Sequence, residues 1–152
     1  MLKAKDIMTK QVITVNPDTS IDEFAGLLIK HNISGAPIVD EKGHVIGIVT
    51  ENDLIRKKSR LHIPTIMRLF DAFIPLGTSR LEEEIKRLAA STVDDICTAN
   101  VITIDTDATI EDIATIMSEK NIHLLPVLHK GKLTGIIGKR DLIKGIAGEG
   151  AA

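Results

Sequence analysis

The sequence predicts an α+β fold made of two β-α-β-β-α units packed with approximate two-fold symmetry. Three observations predict it. The phrase GIVTENDL at 47–54 returns as GIIGKRDL at 135–142. Residues 5–24, KDIMTKQVITVNPDTSIDEF, align without a gap on 94–113, DDICTANVITIDTDATIEDI. Within each copy, strand-like apolar runs alternate with apolar residues at helical spacing. A repeat this long in only two copies is an internal duplication, not a solenoid.

The elements follow in order. Val12–Val15 is a short strand-like run. Ser20-Ile21-Asp22-Glu23 fits a capping box, in which hydroxyl and carboxylate satisfy the free N–H groups of a helix start. Ile21, Phe24, Ala25, Leu28 and Ile29 form the buried stripe of that helix, and Asn32 closes it. Ala36–Val39 reads as a strand start, because proline is tolerated near the beginning or edge of a strand. Asp40–Gly43 is a hairpin turn into the apolar strand Val45–Val49, and Thr50 opens a second helix. The second unit has Thr109 as cap and Ile110, Ile113, Ala114 and Met117 as stripe. Its strands are Leu124–Leu128 and Leu133–Ile137, joined by a turn one residue shorter. The expected division is a first motif at 1–58, a connector at 59–92, a second motif at 93–146 and a flexible tail at 147–152. The connector is too apolar for a free linker, with Phe70 and Phe73 among its residues and a further capping box at Ser79–Glu82. It is expected to pack on the body or against a second subunit.

Composition removes several classes of function. The 152 residues are 43% hydrophobic and 26% charged, an ordinary globular balance. Net charge of −2, with no Trp and no Tyr to stack on bases, argues against nucleic acid as a partner. No apolar run approaches the roughly 20 residues of a membrane helix, and MLKAKDIM is too polar for a secretory signal. The lone Cys97 excludes an internal disulfide and points to a cytoplasmic setting. The basic run Arg56, Lys57, Lys58 and Arg60 reads as a solvated helix end, with a docking patch for an anionic partner as the alternative. None of the five histidines has metal-ligand spacing, and no nucleophile–base constellation, GxxxxGK[ST] or GxGxxG is present. An enzyme is not expected.

The ordered set of DIMT/DICT lead-ins, SGAPIV and HLLPVL strands and closing GIVTENDL/GIIGKRDL resembles a pair of CBS domains, or Bateman module. The resemblance covers 5–55 and 94–143. It implies a stand-alone regulatory module with two clefts between its units. Adenosine compounds such as AMP, ADP, ATP or S-adenosylmethionine would bind there, with no catalytic cofactor and no metal. It also implies a homodimer and a regulated partner protein that the sequence does not name.

The repeated phrase supplies the chemistry. A strand ends and a helix begins at Thr50, where unpaired N–H groups and the helix dipole favour phosphate. An ionised aspartate only accepts hydrogen bonds, so Asp53 and Asp141 suit the paired hydroxyls of a ribose. The bland alternative is a T-x-x-D helix cap contributing about 1 kcal/mol. Gly138 has no hydroxyl for that cap, yet Asp141 is retained. Lys139 and Arg140 stand where the first copy has Glu51 and Asn52, so the second cleft is expected to prefer phosphorylated ligands. By the same resemblance Thr14 and Thr103 look toward the clefts. Ala36, Pro37 and Ile38, with Leu125, Pro126 and Val127, would wall the adenine. The rival reading is a ligand-free structural or dimerisation module with degenerate clefts.

Overall fold

The computed structural model describes residues 1–62 and 91–151. The connector expectations, including the Ser79–Glu82 box, lie outside the described residues. The elements are α1 (Ala4–Ile7), α2 (Ile21–His31), β1 (Gly35–Val39), β2 (Val45–Thr50) and α3 (Glu51–His62), then α4 (Val93–Ile96), β3 (Ile104–Asp105), α5 (Ile110–Lys120), β4 (Leu124–His129), β5 (Lys132–Gly138) and α6 (Lys139–Ala151). The backbone of 147–151, expected as a tail, continues α6.

Capping explains where the long helices start and stop. Ser20 Oγ accepts from Glu23 N–H at 3.0 Å. Thr109 and Asp112 form the reciprocal box, at 3.1 and 3.2 Å. Both helices end on an asparagine in the left-handed region, Asn32 at φ 51° and Asn121 at φ 52°. The shorter second hairpin is a two-residue turn with Lys130 and Gly131 both at positive φ, the geometry that matches strand twist. In the first hairpin the Asp40 carboxylate takes the N–H groups of Lys42 and His44. Those donors hold Asp40 below the ordinary carboxylate range, the His44 N–H first among them.

The two sheets share one plan. β1 pairs antiparallel with β2, and β4 pairs antiparallel with β5. The first strand of each unit adds on in parallel, β3 beside β4 and Val15 alone beside Ile38. The expected strand Val12–Val15 thus enters the sheet only at Val15, whose N–H donates to Pro37 O at 3.0 Å. Pro37 and Pro126 sit third in their strands, not at the start. They are tolerated there because their partners across the ladder, Ile48 and Ile136, spend both backbone groups on the opposite edge.

What occupies that opposite edge is the other unit's lead-in. Thr98 exchanges both backbone hydrogen bonds with Ile48, and Thr9 does the same with Ile136, at 2.8–3.0 Å. Lys3 bridges Thr109, and Thr92 bridges Ser20. Ala4 N–H donates to Ala108 O at 2.8 Å, and Val93 N–H to Thr19 O at 2.9 Å. The helices α1 and α4 are therefore exchanged between the units. Ala4 is fully buried in the core built on Ile113, Leu125 and Ile137, while Val93 is fully buried in the core built on Phe24, Ile38 and Val49. Each hydrophobic core is completed by a residue from the other repeat.

Candidate functional site

The two junctions from strand to helix are built alike. In the first, the Thr50 N–H and hydroxyl both donate to Asp53 Oδ2, at 2.9 and 3.3 Å. In the second, Gly138 N–H donates to Asp141 Oδ2 at 2.9 Å. This answers how Asp141 survives the loss of a threonine. Its carboxylate satisfies the backbone N–H at the helix entrance, and that contact needs no side chain from position 138. One oxygen of each aspartate is thus committed to the helix start, and the other oxygen distinguishes the two sites.

Asp53 Oδ1 is ion-paired with the guanidinium of Arg56, one turn along α3. The Asp53 side chain is 5% exposed and the Arg56 side chain 68%, so the arginine lies across the outer side of a buried carboxylate. Asp141 is half-buried, and its oxygens instead accept from Thr9 Oγ1 at 3.3 and 3.4 Å. Among the described residues no cation pairs with Asp141. Lys144, one turn along α6 where the first unit has Arg56, is exposed and unpaired. Lys139 and Arg140 are exposed on the first turn of the same helix.

Thr9 reaches Asp141 because the exchanged lead-in lies against β5, and a glycine makes room for it. A Cβ on Gly135 would stand 2.3 Å from Met8 Sδ. At Gly47 the counterpart is Cys97, whose Sγ would be 3.3 Å from an added Cβ. Cys97 is half-buried, and burial, followed by the charge of Asp94 and a smaller contribution from Asp53, pushes its thiol upward. Gly135 is therefore a packing requirement of the exchange, while Gly47 leaves its lead-in only a tight fit.

The remaining residues expected at the clefts divide into two groups. Thr14 is exposed and Thr103 half-buried. Ala36, Ile38, Leu125 and Val127 are core residues, and Pro37 and Pro126 are fully buried beside them. As the chain stands, Ala36 and Ile38 fill the core of the first unit and Leu125 and Val127 that of the second. Among the described residues no cluster of three or more histidine, cysteine or acidic side chains could hold a metal. No helix among them is long and apolar enough to cross a membrane.

A family model for the CBS domain matches residues 4–60 and 93–148. The chain belongs to the CBS domain family. It is similar to the CBS domain pair of protein MJ0100, whose crystal structure is a complex with 5′-methylthioadenosine and S-adenosyl-L-methionine. That likeness has 30% identity and a TM-score of 0.75, and covers 98% of each chain. It is 33% identical to protein MJ1426 of Methanocaldococcus jannaschii, over 93% of this chain and 89% of that one. It is also 31% identical to the L-aspartate semialdehyde sulfurtransferase of the same organism, over 95% of this chain but only 23% of the enzyme. The α+β tandem arrangement expected from the repeat is the one observed.

Sequence reasoning missed Thr9, Thr98 and Arg56 in this CBS pair. Both lead-ins end in threonine, DIMT and DICT, and that shared ending was the available signal. The repeat hides it, because each lead-in is contiguous in sequence with its own unit and docks on the other. In the sequence Arg56 is one of several charges at a helix end, whereas in the fold it is engaged by Asp53 within the first turn and a half of α3.

Proposed function

We propose that this CBS pair is a regulatory module that binds an adenosine compound beside Asp53 and Asp141 and signals its presence to a partner protein. The observation that carries the reading is the Asp141 junction. A half-buried carboxylate free of any described cation sits at a helix entrance, with a threonine hydroxyl against it and two cations on the adjoining turn. A carboxylate there can accept from both hydroxyls of a ribose, and the lysine and arginine suit an anionic group on the same ligand. The adenosine ligands of the MJ0100 pair, at 30% identity, support the same class. AMP, ADP, ATP and S-adenosylmethionine are the candidates, with phosphorylated ligands favoured at Asp141. The module regulates without catalysis, so it needs no metal or catalytic cofactor. The exposed Ile55 of α3 and Ile143 and Ile146 of α6 support a homodimer. The unpaired cysteine favours a cytoplasmic setting.

The test begins with the ultraviolet spectrum of the purified protein and of its acid-released supernatant. With no Trp and no Tyr, the chain is nearly dark where adenine absorbs. An adenine band identified by mass supports the reading. Melting temperatures with each candidate ligand then compare Asp141→Asn with Asp53→Asn. The reading fails if no adenosine compound raises the melting temperature. The assignment of phosphate preference fails if Asp53→Asn abolishes nucleotide binding and Asp141→Asn leaves it intact. The full burial of Ile38 and Val127 favours a second reading, a structural module with closed clefts, and a dark supernatant without ligand stabilisation would select it.

A further inference from the structure

The two junctions differ most in who holds the second carboxylate oxygen, and that difference has a functional consequence. We propose that Arg56 is a latch on the first cleft: its guanidinium occupies the acceptor that a ribose would use, so a ligand binds beside Asp53 only by displacing it. The inference rests on the adenosine-binding reading above and adds the residue that sets the inequality of the two sites.

The argument is one of acceptor capacity. Asp53 Oδ2 already takes two donors from Thr50, at 2.9 and 3.3 Å. Only the two lone pairs of Oδ1 remain, and Arg56 takes one of them, which leaves too few for both hydroxyls of a ribose. A charge-assisted bond from a guanidinium is stronger than one from a neutral hydroxyl, so a ribose diol starts at a disadvantage. At Asp141 the competitor is a neutral threonine hydroxyl at 3.3 Å or more, which costs little to displace. The arginine is free to leave, because its side chain is largely solvent-exposed and its release strands no buried charge on its own side. The carboxylate left behind is compensated by the arriving hydroxyls. Exposure also makes the latch sensitive to salt. Ions screen a guanidinium reaching in from solvent, whereas a neutral ligand gains or loses nothing directly.

The experiment uses 5′-methylthioadenosine, an uncharged adenosine ligand, and isothermal titration of the full chain. Asp141→Asn silences the second cleft so that the first reports alone. Against that background Arg56→Gln is expected to tighten first-cleft binding by about tenfold, the factor equivalent to about 1.4 kcal/mol. Raising salt from about 0.1 M to about 1 M, where the screening length falls from about 10 Å to about 3 Å, is expected to tighten binding when Arg56 is present. It should do nothing after Arg56→Gln. Arg56→Lys, which keeps the charge without the planar fork, should retain the salt response. The salt titration can be run on the native chain, so a poorly folded variant does not remove the test. Unchanged affinity after Arg56→Gln, with the same salt response as before, overturns the latch while leaving adenosine binding in place. Absence of binding by the native chain and every variant at every salt overturns both.

Discussion

Replacing Gly135 by alanine tests the exchange of lead-ins on which the second site depends. The new Cβ would lie 2.3 Å from Met8 Sδ, 2.7 Å from its Cγ and 3.0 Å from its Cβ. Ordinary contacts of this kind are about 3.5–4.0 Å, so the sulfur must retreat by about 1 Å or more. The sulfur alone could swing away, but the Met8 Cβ is fixed to the end of α1, and Thr9 beside it is hydrogen-bonded to Ile136. The lead-in itself therefore has to lift. Overpacking of this kind costs about 1–3 kcal/mol. For a chain of this size that is a fall in melting temperature of about 2–12 °C. Gly47→Ala is the internal control. Its nearest contacts are Cys97 Sγ and Ile38 Cδ1, both at 3.3 Å, which shifts of a few tenths of an ångström relieve. Its cost should stay below about 1 kcal/mol, partly offset by the lower entropy of the unfolded alanine chain. Urea melts followed by far-ultraviolet circular dichroism give both values, and Met8→Ala in the Gly135→Ala chain should restore stability, with a coupling of about 0.5–3 kcal/mol. The packing argument is refuted if Gly135→Ala is as stable as the native chain, if Met8→Ala brings no relief, or if Gly47→Ala loses as much.

Gly138→Ser should keep or raise stability by a few tenths of a kcal/mol, since glycine and serine are both accepted at a helix entrance. An added Cβ there meets nothing closer than 3.8 Å. A measured loss above about 1 kcal/mol would show a backbone constraint at Gly138. Asp107, which Lys5 holds below its ordinary value of 3.8 by a contact of 3.2 Å, ties α1 to the second unit. A carboxylate with a lowered folded value stabilises above its unfolded value and loses that contribution as pH falls through the folded one. Asp107→Asn should therefore be less stable than the native chain near neutrality, with the gap closing below pH 3.8 and at high salt. Equal stability at neutral pH and low salt would refute the tie. The Cys97 thiol, pushed above its ordinary 9.0 by burial and nearby carboxylates, should react with a disulfide reagent more slowly than a free thiol, and as fast once unfolded. Equal rates in the folded chain would show that the sulfur is open.

Local grammar in this sequence was legible wherever neighbours along the chain settle the outcome. Ser20, Thr109 and Asn32 cap and close the helices at the expected positions because each acts within one turn, and Asn121 closes the second helix as Asn32 does the first. The strand pairs followed from apolar runs and a glycine at positive φ in the turn. The aspartates stand out in the sequence as the shared feature of the two phrases, and the T-x-x-D cap gives one partner of Asp53, but the partner of the second oxygen is not legible. Oδ2 takes a local N–H that any reader of helix starts can place. The other oxygen is filled by a long side chain from the next turn in one copy and by a threonine 132 residues away in the other. The strand position of the prolines failed for the same reason. A proline looks misplaced in a central strand until Thr9 and Thr98 are seen to take the bonds its partner would otherwise have offered.

The exchange of lead-ins could not be read from the repeat because the repeat makes both arrangements look equivalent. Each lead-in offers the same shape to either unit: a small apolar residue to bury, a threonine to pair, and a flexible or small side chain to lay over a glycine. Local propensity therefore cannot choose between them, and only the path of the chain does. That path has a physical consequence. Thr9 touches Asp141 in the second unit, and Val15, a few residues on, is bonded to Pro37 in the first. Thr98 and Ile104 repeat the connection in the opposite sense. A ligand that takes the Asp141 oxygens would displace the Thr9 hydroxyl, and any movement of the lead-in that accompanied it would have to be absorbed by residues 10–14 before it reached the first sheet. Such a short strap can absorb only a small shift as slack. On the proposed function, a ligand that lifted the lead-in as well as displacing the hydroxyl would act on the sheet that carries the other junction, and the two sites would be coupled to the extent that the ligand distinguishes the docked lead-in from the lifted one.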